Sequence, residues 1–124
     1  MINSKYWEKK LREFLEIDGI TDNEFFNYMV KRTTKLPLTV EEFGWGVFPI
    51  EDNNGILVDI RMVVPNIYDE KSLCVNIHEY THAYELYNCL GSIFKWDIKA
   101  SEEKAQSAEK RYLNIKNNMI CTKE

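Results

Sequence analysis

The stretch NIHEYTHAYELY, residues 76–87, contains both histidines of the chain and has the pattern of a helix with two different sides. A helix turns through about 100° per residue, so His78 and His82 lie almost one above the other on one face. Apolar side chains recur at helical spacing on the other side, namely Leu73, Ile77, Tyr80, Tyr84 and Tyr87. The pattern predicts a helix over about residues 71–89, ended by Gly91, with one flank in the core and the histidines facing a cleft.

Two further helices are predicted on the N-terminal side of this stretch. Apolar residues at helical spacing predict a helix over about residues 4–18 that ends near Gly19. Thr21, followed three residues later by Glu24, has the spacing of a capping box and predicts a second helix that runs to about Thr33.

A β region is predicted between these helices and the motif helix. Residues 40–50 and 56–64 are rich in β-forming side chains, and the turn-forming sequence at residues 52–55 separates them, which predicts an antiparallel β-hairpin. We expect the strand over residues 56–64 to be an exposed edge to which an extended peptide can pair. A last helix is predicted over about residues 101–117, with its buried face formed by Ala105, Ala108, Tyr112 and Ile115.

These elements predict an α+β fold with N-terminal helices, a small antiparallel hairpin or sheet, a motif helix and a C-terminal helix. A length of 124 residues predicts a single domain over residues 1–124. Residues 1–36 form its N-terminal helical part, and residues 56–117 contain the core of the expected metal site. Trp7, Trp45 and Trp96 are expected to pack in the core.

Composition and charge narrow the classes of function. Hydrophobic residues make up 44% of the chain and charged residues 29%, as in ordinary soluble domains. The formal charge of −4 argues against nucleic acid as a partner. No apolar stretch reaches the roughly 18 residues of a membrane span, and three cysteines without a C-x-x-C pair fit a reducing compartment. We therefore expect a cytoplasmic protein with no membrane partner.

The order His78-Glu79-x-x-His82 is that of the H-E-x-x-H motif of zinc hydrolysis. Two imidazoles four residues apart can share one ion, while Glu79 can reach a water bound to that ion without being a ligand. Zinc in a catalytic site usually takes a third protein ligand. Glu85 lies on nearly the same face, but three ligands on one straight helix converge poorly, so we place Glu85 beside the ligands rather than among them. The alternative is a helical interaction protein without metal, in which the histidines face solvent or cap the backbone.

A glutamate on the last predicted helix is part of a motif that resembles one of a known protein family. Glu102 is followed by Ala105 and Gln106, a pattern that resembles the E-x-x-A-[D/N/Q] ligand helix of gluzincin metallopeptidases. The resemblance covers roughly residues 56–112 and implies that Glu102 is the third zinc ligand, with the alanine allowing close helix packing. Glu103 is its neighbouring competitor. The chain departs from the family in having no third histidine and in carrying Gln106 where an acid is commoner.

A zinc ion at this site would determine the type of reaction. Zinc would activate a water, Glu79 would act as general base, and a peptide or protein would be the substrate. Tyr112 and Tyr68 are the candidates for a hydroxyl that stabilises the oxyanion. Cys74 is expected to be a buried free cysteine rather than a further ligand. A noncatalytic zincin-like module that binds metal or a protein is the alternative, and the sequence carries no signature of an oligomeric state.

Overall fold

The computed structural model describes residues 4–36, 45–66 and 68–121, with side chains up to residue 115. The described residues form an α+β fold, as the sequence predicts. Its helices are α1 (Ser4–Ile17), α2 (Asn23–Val30), α3 (Glu70–Tyr87) and α4 (Ile98–Cys121). Its strands are β1 (Thr33–Leu36), β2 (Gly46–Glu51) and β3 (Leu57–Pro65).

The predicted hairpin is formed by β2 and β3. The two strands pair antiparallel, with Val47 opposite Met62. The turn between them is held by the Asp52 carboxylate, which accepts backbone hydrogen bonds from residues 54 and 56. Gly55 has a φ of +79°, in the left-handed region that favours glycine, so the turn signal in the sequence is confirmed.

The strand β1 is absent from the sequence prediction and corrects three expectations. It pairs parallel with β3, with Thr33 opposite Met62, so the sheet is mixed rather than antiparallel and the second helix stops at Val30 instead of Thr33. The strand order is β1-β3-β2. The strand predicted over residues 56–64 is therefore the centre of the sheet, and its expected role as an exposed edge is wrong.

Among the described residues, β2 has a neighbouring strand on one side only. The first part of the strand predicted over residues 40–50, up to residue 44, lies outside the described residues.

The starts of the helices are set by aspartates. Asp22, rather than the predicted Thr21, caps α2 by accepting a hydrogen bond from the Glu24 amide at 2.9 Å. Asp97 accepts from the Ala100 amide at 3.1 Å, and α4 begins at Ile98, three residues earlier than predicted. Glu102 therefore stands in the second turn of α4, not in its first.

The core fixes α3 between the sheet, α1 and α4. The buried side chains of α3 include Leu73, Ile77, Ala83 and Leu86, and those of β3 include Leu57, Ile60, Met62 and Val64. The buried Trp7 of α1 donates its indole N–H to the Asp69 carbonyl at 2.9 Å, just before α3 begins. Ala105 and Ala108 are buried, as predicted, because their small side chains let α4 approach α3 closely.

Within the described ranges, none of the helices has both the length and the apolar character required to span a bilayer.

Candidate metal centre

The two histidines of α3 point their outer ring nitrogens at each other. Nε2 of His78 lies 3.1 Å from Nε2 of His82, and both side chains are largely buried. Their rings meet nearly edge to face, with centroids 4.8 Å apart. The spacing of four residues therefore brings both imidazoles to one point beside α3, as the sequence predicts.

Glu102 reaches the same point from α4. Its Oε1 lies 3.0 Å from Nε2 of His78, and its Oε2 lies 3.1 Å from Nε2 of His82. In a zinc tetrahedron with bonds of about 2.0–2.1 Å, neighbouring ligand atoms lie about 3.3 Å apart. Two imidazole nitrogens and one carboxylate thus form a triangle of nearly the size that one such ion requires.

Glu79 stands beside this triangle. Its Oε1 lies 3.8 Å from Nε2 of His78, and its side chain comes close enough to both histidines for the three residues to form a group that can hold a metal ion. The side chain is buried, and its Oε2 has no hydrogen-bond partner among the described residues. A Cβ atom added at Gly46 would lie 3.9 Å from this oxygen, so the start of β2 borders the carboxylate.

The environment of Glu79 changes its acidity. Burial raises the pKa of the Glu79 carboxyl to about 7, with the charges of Glu102 and Glu109 adding to the rise and His78 opposing it. A carboxyl whose pKa lies near neutral pH can both accept and return a proton under physiological conditions. Burial, together with the neighbouring His78, also lowers the pKa of His82, which favours the neutral imidazole that metal binding requires.

The inner nitrogens of both rings have partners that sequence reasoning missed. Nδ1 of His78 lies 2.6 Å from Oε1 of Glu109, at ion-pair distance, and Nδ1 of His82 lies 2.7 Å from Oγ of Ser101. Such contacts orient metal-bound imidazoles in many proteins. A signal for Glu109 exists in the sequence, because it follows Glu102 by seven residues, two helical turns on the same face of α4.

The competing carboxylates lie elsewhere. Glu85 forms an ion pair with Lys104, with Oε1 2.8 Å from Nζ. Burial alone would raise the pKa of the Glu85 carboxyl, but the neighbouring Lys104 and Ser101 side chains lower it. Glu103 is exposed on α4. The structure therefore brings Glu102, and neither of these two, to the ring nitrogens that face each other.

The tyrosines considered as oxyanion donors pack against α1. Tyr112 is buried edge to face with Phe14, at a centroid distance of 4.7 Å, and burial raises its pKa to about 12. It follows Glu102 by ten residues, about 15 Å along a helix. Tyr68 packs edge-on against Trp7 at 5.4 Å. These positions do not favour either hydroxyl as a donor at the metal site.

An indole ring borders His82. Trp96 packs edge to face on the His82 ring with centroids 5.7 Å apart, and its buried Nε1 has no hydrogen-bond partner among the described residues. The ring is half-buried against the core, as expected for Trp96, and the partly buried Cys74 packs against the same core. The site is therefore walled by an aromatic ring on the side of the α3–α4 connection.

Comparisons of the chain with models of protein families, with curated proteins and with solved structures give no match. The functional argument therefore depends on the geometry and chemistry of the residues themselves.

Proposed function

We propose that the protein is a small zinc-dependent metallopeptidase of gluzincin-like form. His78, His82 and Glu102 are the proposed zinc ligands, and Glu79 is the proposed general base. The observation that carries the proposal is the triangle in which both Nε2 atoms and the Glu102 carboxylate lie 3.0–3.1 Å from one another.

The atoms of the triangle can donate electron pairs to a cation. Oε1 of Glu109 lies at ion-pair distance from Nδ1 of His78, the ring nitrogen that does not belong to the triangle. The contact of His82 with Ser101 allows Nδ1 of the second ring to carry the ring proton. In that tautomer the lone pair on Nε2 and the nearby carboxylate repel each other unless a cation or a ring proton lies between them. Imidazole and carboxylate are ligands that zinc accepts in tetrahedral sites.

The residues around the ligands support hydrolysis. A bound zinc ion lowers the pKa of its water to about 7 and polarises a carbonyl. Glu79 has one buried oxygen without a partner and a pKa near 7, so it can take a proton from the attacking water. The same carboxyl can then return the proton to the leaving amine of a peptide.

The position of β2 supports a peptide as the substrate. Among the described residues this strand has a free edge, and Gly46 at its start borders Glu79. An extended peptide that pairs with β2 would pass beside the proposed base, with main-chain hydrogen bonds supplying affinity. Recognition by the backbone requires no particular side-chain signature in the protein.

The experiment combines metal analysis with the Glu79→Gln variant. We expect one zinc per chain in both the wild type and the variant, because Glu79 is not a ligand. Cleavage of a mixed pool of unstructured peptides, followed by mass spectrometry, should fall by roughly 10²–10⁴-fold in the variant, as is typical for loss of a general base. Glu103→Gln, on the exposed side of α4, is the matched control and should leave both unchanged.

Loss of zinc from Glu79→Gln would make Glu79 a ligand and contradict the proposed roles. The burial of Glu79 favours a noncatalytic metal-binding module as the second candidate, since a closed site excludes substrate. A wild-type protein that is fully loaded with zinc but cleaves no peptide of the pool would favour that candidate.

A further inference from the structure

We propose that the free edge of β2 binds a short stretch of extended peptide through the backbone of Val47, and that Pro49 ends this pairing. The peptide is the substrate of the proposed metallopeptidase, so this part of the inference rests on the proposed function. The pairing itself requires no metal and can be tested without one.

The hydrogen bonds of β3 show which way the backbone of Val47 points. In an antiparallel pair, opposite residues either exchange both hydrogen bonds or point their N–H and C=O groups away from each other, in alternation. Met62, the residue opposite Val47, donates its N–H to the Arg32 carbonyl at 3.1 Å, on the side of β1. The pair is therefore of the second kind, and the N–H and C=O of Val47 point towards the free edge of β2.

Pro49, two residues further along β2, faces the same edge. A proline has no N–H, so its pair with Ile60 cannot exchange both hydrogen bonds. The Ile60 amide donates instead to the neighbouring Asp59 side chain, at 2.9 Å from Oδ1. Pro49 thus offers a carbonyl at the free edge but no donor.

The regular edge ends directly after Pro49. The register of β2 with β3 shifts between Ile50 and Glu51. Such an irregularity bends a strand and interrupts the regular spacing of its hydrogen-bonding groups. A peptide that continued past Pro49 would have a carbonyl facing the proline, and a polar group left unpaired on burial is costly. Full pairing along the strand is therefore confined to Val47.

The fully pairing residue lies at the end of β2 that borders the candidate metal centre. Val47 follows Gly46, and a Cβ atom added at Gly46 would lie 3.9 Å from Oε2 of Glu79. A peptide held at Val47 therefore has its best-bound residue beside the proposed base. Peptide residues beyond Pro49 add no further backbone pairing.

This geometry defines a class of substrate. A single fully pairing residue suits a short extended segment, such as a loop or a chain terminus, better than a long strand of a sheet. In either chain direction, one residue of the peptide donates its N–H to the Val47 carbonyl, so that residue cannot be proline. Sequence beyond Pro49 is free to vary.

The first test measures amide exchange in β2 by NMR, in metal-free Glu79→Gln. The probe is the tightest-binding member of a random library of capped hexapeptides. We expect saturating probe to slow exchange of the Val47 amide by about tenfold or more, and to leave that of Glu51 unchanged. Slower exchange at both amides would overturn the proposed end of the pairing. An unchanged Val47 amide, or a library without a binder, would overturn the peptide site.

The second test restores a donor to the edge. Pro49→Ala adds an N–H that faces the peptide and should tighten binding of the same hexapeptide by roughly 2–10-fold, the net value of one hydrogen bond. Pro65→Ala is the matched control, because it removes a proline at the far end of β3, where the partner strand is β1, and should change affinity by less than about twofold. No gain in Pro49→Ala, or an equal gain in both variants, would overturn the role of Pro49.

Failure of this inference can be distinguished from failure of the proposed function. Protection of the Val47 amide in a protein that binds no zinc would overturn the metallopeptidase and support the peptide-binding edge. Zinc-dependent cleavage of a peptide that leaves the Val47 amide unprotected would do the opposite. The first test changes no residue of β2, so it decides the matter independently of how Pro49→Ala folds.

Discussion

Among the described residues, the carboxylates of two polar clusters are balanced in opposite ways. In the Asp59 cluster, the Asp59 carboxylate accepts from Arg32 at 2.7 Å and from Tyr28 at 3.1 Å, and lies 3.0 Å from Arg61. In the histidine cluster (His78, Glu79, His82, Glu102 and Glu109), carboxylates meet imidazoles and one another with no lysine or arginine in the group.

The acidities of the two clusters shift in opposite directions. In the Asp59 cluster, burial alone would raise the pKa of the Asp59 carboxyl. Hydrogen bonds from Arg32, the Ile60 amide and Tyr28 lower it instead. In the histidine cluster, burial raises the pKa of Glu79 to about 7. A carboxylate among guanidinium groups has its counterions and serves the fold, whereas a carboxylate that is buried beside other carboxylates favours the binding of a proton or a cation.

The largest expected difference between the clusters is in metal affinity. Glu102→Ala removes one of three proposed ligands and should weaken zinc by more than the roughly 100-fold upper figure for a residue that only supports a ligand. Glu103→Ala and Asp59→Ala should leave the affinity within about twofold, because neither side chain contacts the histidines. Competition with a chelator measures all three. A larger loss in Glu103→Ala or in Glu85→Ala would mean that another carboxylate is the ligand.

A smaller loss of zinc affinity is expected when the residue that contacts Nδ1 of His78 is replaced. Glu109→Ala leaves Nδ1 of His78 without its charged partner and should weaken zinc by about 10–100-fold, by titration against the same chelator. Lys110→Ala, the neighbouring exposed position, is the control. Equal affinities of these two variants would show that the 2.6 Å contact of Glu109 has no part in metal binding.

The Asp59 cluster should affect stability instead of metal binding. Asp59→Asn should lower the free energy of unfolding by about 1–2 kcal/mol near pH 7, because charged hydrogen bonds are lost. The folded pKa of Asp59 is lowered, so its contribution is present above the unfolded pKa, near 4, and disappears as the pH falls through the folded pKa. Urea unfolding at several pH values measures this, and a difference that persists in acid contradicts the assignment.

Replacing the Glu79 carboxylate by an amide should have the opposite effect on the free energy of unfolding. In metal-free protein, the raised pKa means that the folded carboxyl keeps a proton which the unfolded chain releases between pH 4.5 and about 7. Stability therefore falls as the pH rises through that window. Glu79→Gln removes this loss and should stabilise the metal-free fold by up to roughly 3 kcal/mol at pH 8, with little effect below pH 4.5. Destabilisation at pH 8 would be inconsistent with a strained carboxylate.

The sequence predicts the parts of the fold that have a local signal. The motif helix, the last helix and the turn at Gly55 are specified by helical spacing or by glycine, and the structure has all three. The strand β1 has only four residues and pairs with residues almost thirty positions away. No local sequence pattern distinguishes β1 from the end of α2. Without β1, β3 would be an edge strand of the sheet.

The residues of the candidate site also differ in whether a local sequence signal predicts them. His78 and His82 lie on one helix, so their spacing alone predicts that they meet. Glu102 required a resemblance, because its position depends on how α4 packs against α3. Ser101 was missed because its partner depends on the rotation of α4 about its own axis, which sequence spacing does not define. The spacing of seven residues places Glu109 on the same face of α4 as Glu102, but it does not identify His78 as its partner.

The proposed ligands come from two helices, and this has a consequence for how the molecule opens. His82 lies on α3 and Glu102 on α4, twenty residues further along the chain, so an ion bound by both closes a loop between them. The last helix packs its alanine face on α3 and otherwise leaves much of its surface to solvent. Local unfolding of α4 would then break a metal bond as well as apolar contacts, so its amide exchange would become linked to the occupancy of the site.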